Sequence, residues 1–77
     1  MMASTKFAKS VGYILTKKYC VYDEVNVFSL HKKIDYVPVF DVYDEVFRIY
    51  LFSLEDAMKI IDFIKSRNFT AVFVNFD

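Results

Sequence analysis

The chain has 77 residues, of which 56% are hydrophobic and 19% aromatic, and its ten basic residues balance its ten acidic ones. This length predicts a single domain over residues 1–77, and so high an apolar content excludes a disordered chain. One cysteine excludes an internal disulfide, no apolar run approaches the ~20 residues that span a bilayer, and the N-terminus lacks a leader-like apolar run, so we expect a cytoplasmic protein.

The charges are divided unevenly along the chain. Residues 1–33 hold six lysines and two acidic residues, whereas residues 34–77 hold four basic and eight acidic residues. This division predicts a basic face and an acidic face, each attracting a partner of opposite sign, unless both sets of charges are simply solvated.

The first part of the chain predicts a helix followed by a strand. Apolar residues recur at helical spacing over residues 4–18, with Ser4 or Thr5 as the N-cap, although Gly12 weakens the middle of this helix. Residues 19–30 are rich in β-branched and aromatic side chains, and their alternation from Val25 onward predicts a strand. Residues 31–33 then form a polar connection.

Two β-prone runs in the middle of the chain predict a hairpin. Residues 36–42 and 46–52 are separated by Tyr43, Asp44 and Glu45, which is the length of a hairpin loop. Because Pro38 has no backbone N–H, the first of these strands is expected at a sheet edge or at a bulge.

A second helix and a last strand complete the predicted elements. Ser53, followed three residues later by Asp56, is typical of a helix N-cap, and Asn68 suits the left-handed residue that ends a helix. Residues 70–76 form the last strand and, with 46–52 and the helix between them, predict a parallel β-α-β unit. The buried stripe of the helix is expected to be Leu54, Ala57, Ile60, Ile61 and Ile64.

The predicted order of elements is α-β-β-β-α-β. This order favours an α+β fold in which two helices pack on one small mixed β-sheet, in a split β-α-β or ferredoxin-like arrangement. Such a likeness is at the level of the fold and implies no function.

The residues that catalysis or metal binding requires are too few or badly spaced. His31 and Cys20, the only residues of their types, carry no signature of a catalytic pair and do not complete a zinc site. The acidic pairs lie at predicted turns and helix starts, and one glycine does not make a phosphate-binding loop. The sequence therefore predicts a non-enzymatic protein without cofactor or metal.

The aromatic content favours a protein-binding module. Both faces of the predicted strands carry bulky side chains, so a sheet covered by helices on one side only would leave an apolar, aromatic face for another protein or for a second copy stacked sheet to sheet. Helices on both faces would remove this surface. The candidate protein-binding residues are Tyr22, Tyr36, Asp41, Tyr43, Asp44, Glu45, Arg48, Tyr50 and Phe73.

Nucleic-acid binding is the alternative function. The first predicted helix carries a stripe of lysines with a tyrosine among them, a pattern that would contact phosphates and stack on a base. Only two arginines and a net charge of zero weigh against it. The candidate residues are Lys6, Lys9, Tyr13, Lys17 and Lys18.

The composition carries one further expectation. Frequent Phe, Tyr, Ile and Lys, with scarce Gly, Pro and Arg, resembles proteins encoded by AT-rich genomes, which include those of many bacteriophages and of many bacteria. A small, motif-free protein of this kind is consistent with a phage-type inhibitor or modulator of a host protein, acting in the host cytoplasm.

Overall fold

The computed structural model describes residues 9–17 and 21–77. Over these residues the protein is a small α+β domain with two helices and four strands in one open sheet. The elements in chain order are β1 (Gly12–Lys17), α1 (Tyr22–Lys32), β2 (Tyr36–Asp41), β3 (Val46–Leu51), α2 (Leu54–Ser66) and β4 (Ala71–Asn75).

The sheet has the strand order β2-β3-β1-β4, and every neighbouring pair is antiparallel. The prediction of a mixed sheet is therefore wrong. β3 and β4 do run in the same direction, as expected for strands joined by a helix, but β1 lies between them and pairs with both. The predicted β-α-β unit is thus split by a strand from the start of the chain.

The predicted helix over residues 4–18 is wrong where the structure describes it, because residues 12–17 form β1, one of the two central strands. Residues 4–8 and 18 lie outside the described residues. Ile14 and Thr16 are buried on one side of β1, and the Thr16 hydroxyl donates to the Thr70 carbonyl oxygen at 2.7 Å. Hydrogen bonding to strands on both sides outweighs the helical spacing of the apolar residues.

The predicted strand over residues 19–30 is also wrong where the structure describes it, since Tyr22–Lys32 is helix α1. Residues 19 and 20 lie outside the described residues. Val25 and Ser29, four residues apart, both face the core, and the Phe28 ring stacks on Phe63 of α2 with centroids 4.3 Å apart. Residues 31 and 32, predicted as a connection, form the last turn of this helix, which ends at Lys33 in the left-handed conformation with φ 59°. Packing against the sheet therefore overrides the β-prone composition.

The predictions for the second half of the chain are largely confirmed. β2 and β3 form an antiparallel hairpin, and β2, which contains Pro38, is an edge strand. Ser53 is the N-cap of α2, with its hydroxyl oxygen accepting from the Asp56 N–H at 3.1 Å, and Asn68 has φ 67°. The buried stripe of α2 is as predicted except for Leu54, which is 50% exposed.

Both described helices cover the same face of the sheet, which we call the inner face. Its cross-strand neighbours are buried apolar residues such as Ile14 and Ile49, and they join residues of both helices in one core. β4 contributes Phe73, whose ring lies over the single glycine, Gly12. The buried core consists of Ile14, Val21, Val25, Ile34, Phe47, Ile49, Leu51, Ala57, Ile60, Ile61 and Ile64.

Candidate binding surface on the outer face of the sheet

The face of the sheet opposite the helices, which we call the outer face, is formed by alternate residues of all four strands. Strand register aligns these residues in three rows that cross the sheet. In the order β2, β3, β1, β4, the rows are Val37, Tyr50, Tyr13 and Val74; Val39, Arg48, Leu15 and Val72; and Asp41, Val46 and Lys17 on the first three strands. Valines therefore lie at both edges of this face, beside Asp41 on β2, and two tyrosines and an arginine lie at its centre.

An aromatic cluster occupies the centre of the outer face. The ring centroids of Tyr13 and Tyr50 lie 5.2 Å apart, and Phe76, just after β4, lies 5.8 Å from Tyr13 and 6.3 Å from Tyr50. The Arg48 guanidinium carbon lies 5.5 Å from the centroid of the Tyr13 ring. These distances are typical of favourable aromatic and cation–π contacts, which hold the rings in place as a group.

Arg48 and Asp41 form an ion pair at one side of this cluster. An Arg48 Nη1 lies 3.6 Å from Asp41 Oδ2, while Asp41 Oδ1 accepts the backbone N–H groups of Tyr43 and Asp44 at 3.0 and 3.1 Å. The hydrogen bond from the Asp44 N–H contributes most to holding the pKa of Asp41 below its ordinary value. The Tyr43 N–H and Arg48 act in the same direction. Hydrogen bonding to the Tyr13 hydroxyl raises the pKa of Arg48, which remains a cation at any physiological pH.

The loop between β2 and β3 extends the surface beyond the sheet. Its backbone is fixed by the Asp41 carboxylate and by Glu45, which has φ 56°. Two apolar side chains of this loop are held in solvent, since Val42 is 68% exposed and Tyr43 is 94% exposed. A tyrosine held in water by a short, fixed turn is well placed to contact a partner.

The structure divides the nine predicted protein-binding residues among three places. Three lie on the outer face, and three lie in the β2–β3 loop. Tyr22, Tyr36 and Phe73 lie instead on the helix-covered side, so their inclusion in a single surface is wrong. Tyr36 donates its hydroxyl to Asn26 Oδ1 at 2.8 Å, and burial, followed by the neighbouring Tyr22, raises the pKa of Tyr36 to about 12.

The predicted nucleic-acid surface also changes position. Lys6 and Lys18 lie outside the described residues, and Lys9 precedes β1. Tyr13 and Lys17 belong to β1 and not to a helix, and both lie on the outer face. The two candidate surfaces of the sequence therefore share one face of the sheet.

Several residues of the outer face were missed by reasoning from the sequence as part of a site. They are the aliphatic residues of this face and Phe76. Of these, Val72 is 59% exposed and Phe76 is 51% exposed. The signal that identifies them is the recurrence of an apolar or aromatic residue at every second position, at Tyr13 and Leu15 of β1 and at Val72, Val74 and Phe76 at the end of the chain. Which face carries them outward depends on the position of the helices.

The rest of the described structure offers weaker candidates for a functional site. Within the described residues there is no cluster of three or more side chains suited to hold a metal ion, and no helix that is both long and apolar enough to cross a membrane. An open groove of about 450 Å³ lies between α1 and α2, but the guanidinium of Arg67 already lies over Phe63 in this groove and contacts Glu24 at 3.2 Å.

Comparison of the chain with protein-family models, with curated proteins and with solved structures found no significant match.

Proposed function

We propose that this protein is a non-enzymatic protein-interaction module that binds its partner through the outer face of the sheet. The observation that supports this best is the composition of the face: a central group of Tyr13, Tyr50 and Arg48 with aliphatic side chains at both edges. Protein interfaces concentrate binding energy in central Tyr and Arg residues, surrounded by apolar contacts that exclude water.

The state of the central residues is favourable for binding. Their mutual contacts restrict the rings and the guanidinium before a partner arrives, so less side-chain entropy is lost on association. Asp41 is already paired with Arg48 as its counter-ion, which reduces the desolvation cost when a partner covers the arginine. Tyr43, in the adjoining loop, adds an exposed aromatic contact at the rim.

The order β-α-β-β-α-β, with strand order β2-β3-β1-β4, supports a ferredoxin-like arrangement in which the helices leave one sheet face for recognition. The AT-rich composition supports a phage-type origin and a host protein in the host cytoplasm as the target, which the module would inhibit or modulate.

Single-stranded nucleic acid is the second candidate partner. The observation that favours it is the presence of two tyrosines on the central strands together with Arg48 and Lys17 on the same face, since aromatic rings of a four-stranded sheet stack on unpaired bases. Against it stand the pairing of Arg48 with an acid and the zero net charge of the chain. Protein binding remains the better supported of the two.

The test compares one charge placed on each side of the molecule. Tyr50→Asp introduces a carboxylate at the centre of the outer face, whereas Leu30→Asp introduces the same group on α1 at a position that is 81% exposed. The parent chain and each variant carry a tag and are used to capture proteins from nuclease-treated lysate of the proposed host. Quantitative mass spectrometry then measures the amount of each captured protein. We expect a protein that the parent and Leu30→Asp retain and that Tyr50→Asp loses at least tenfold.

Circular dichroism and thermal melting establish first that both variants fold. A partner retained equally by both variants, or lost only with Leu30→Asp, contradicts the outer face as the binding surface. Fluorescence anisotropy with labelled single-stranded DNA and RNA tests the second candidate. Salt-sensitive binding that is lost with Tyr13→Ala and with Lys17→Glu would replace protein by nucleic acid as the partner.

A further inference from the structure

The two edges of the sheet differ in how they are protected. One edge, β2, contains Pro38 and ends in the charged Asp41, both of which discourage pairing with another strand. The other edge, β4, has the sequence AVFVN and contains neither proline nor a charged residue. Natural sheets rarely leave an apolar edge strand without such protection unless the edge is used.

The backbone groups that β4 turns away from the sheet can be identified. The Phe76 N–H donates to the Val11 carbonyl oxygen at 3.0 Å, and the Val74 carbonyl oxygen lies against Gly12, so residues 72, 74 and 76 direct their polar groups toward β1. Successive residues of an antiparallel strand alternate in this direction. The N–H and C=O groups of Ala71, Phe73 and Asn75 therefore point outward, and among the described residues no hydrogen bond reaches them.

We propose that β4 pairs with β4 of a second copy in antiparallel register, forming a two-fold dimer with a continuous eight-stranded sheet. The three outward-pointing residues are evenly spaced about Phe73, so the register is Ala71 with Asn75, Phe73 with Phe73, and Asn75 with Ala71 of the second copy. Each such pair exchanges two N–H···O=C hydrogen bonds. A strand edge with this spacing is complementary to itself, which is why the occupant is another copy of this chain.

This pairing closes the assembly at two copies. It uses both β4 edges, and the edges that remain are the β2 strands with Pro38, which resist further addition. The outer faces of the two copies then become one continuous surface, because Val72 and Val74 of each copy would meet across the symmetry axis.

The test removes a single outward-pointing donor. Asn75→Pro deletes an N–H that makes no bond to β1, while Asn75→Ala keeps this N–H and loses the same side chain, including its contact with the Asp77 N–H at 3.0 Å. Light scattering after gel filtration is expected to give about twice 9.1 kDa for the parent chain and for Asn75→Ala, and the monomer mass for Asn75→Pro. Circular dichroism must be unchanged in both variants.

Amide hydrogen exchange gives a second readout that needs no substitution. The N–H groups of Phe73 and Asn75 are expected to become protected as protein concentration rises, whereas those of Val72 and Val74 are protected at every concentration. A parent chain that is monomeric at all concentrations overturns the proposal, as does a dimer that persists in Asn75→Pro. A dimer broken by Tyr50→Asp and not by Asn75→Pro would assign self-association to the outer face instead.

Discussion

Substitution of the only glycine, Gly12→Ala, is expected to be the most destabilising small change at the β1–β4 pair. An added Cβ would overlap the Val74 carbonyl oxygen and lie 2.7 Å from Phe73 Cζ. The ring could turn away, but the carbonyl belongs to the backbone of the paired strand and moves only with β4. The φ angle of Gly12 is not positive, so a glycine is required at this position for its small size and not for its backbone conformation.

The magnitude follows from the kind of overlap. Inserting one methyl group into a packed site costs about 1–3 kcal/mol, and contact with backbone belongs near the upper limit. Alanine recovers roughly 0.5–1 kcal/mol by restricting the unfolded chain, which leaves a net loss of about 2 kcal/mol. For a chain of this length, whose total stability is roughly 4–12 kcal/mol, the melting temperature should fall by about 8–16 °C.

The assay is thermal unfolding followed by circular dichroism, with urea unfolding to obtain the free energy. Lys17→Ala is the matched control, since it changes an exposed residue at the other end of the same strand and should be nearly neutral. Phe73→Leu added to Gly12→Ala should restore only part of the loss, because it relieves the ring and leaves the carbonyl. A Gly12→Ala protein as stable as the parent would refute the close approach of β1 and β4.

Two further predictions concern single side chains. Ser29 is 1% exposed, and its hydroxyl has no hydrogen-bond partner among the described residues. Ser29→Ala should therefore raise the free energy of unfolding, measured in urea, by about 1 kcal/mol. A loss of stability in this variant would indicate that the hydroxyl does make a hydrogen bond. Tyr36 should be a late-ionising tyrosine in an absorbance titration, at a pH of about 12, and this transition should be missing in Tyr36→Phe. Because the pKa of Tyr36 is raised in the folded state, its protonated hydroxyl stabilises the fold fully below the ordinary pKa of 10.0. This contribution to the free energy of folding is lost as the pH rises toward 12. The chain has six tyrosines, so Tyr36→Phe loses one tyrosine's share of the absorbance change in any case. A variant that loses this share near the ordinary pKa of 10.0 and keeps the late transition would contradict the burial of the Tyr36 hydroxyl.

The candidate surface was predictable in part. Alternation in the strands correctly separated Tyr50 from Phe47, and the hairpin placed Arg48 near Asp41. Alternation states only that two faces exist. The choice between them was made by the helices, which cover Phe73 and Tyr36 and leave Tyr13 and Tyr50 together on the other side.

Local signals determined the second half of this protein from the sequence alone. The β2–β3 hairpin, the Ser53 cap, the stripe of α2 and the last strand each depend on residues close in the chain, and such signals are read directly from composition and spacing. The first half was decided by the tertiary structure. β1 pairs with residues at least 29 positions away on both sides. α1 is helical because Val25 and Phe28 pack on the sheet and on α2, although its composition favours a strand. No local pattern encodes the gap between β3 and β4, and the strand that fills this gap gains hydrogen bonds along both edges.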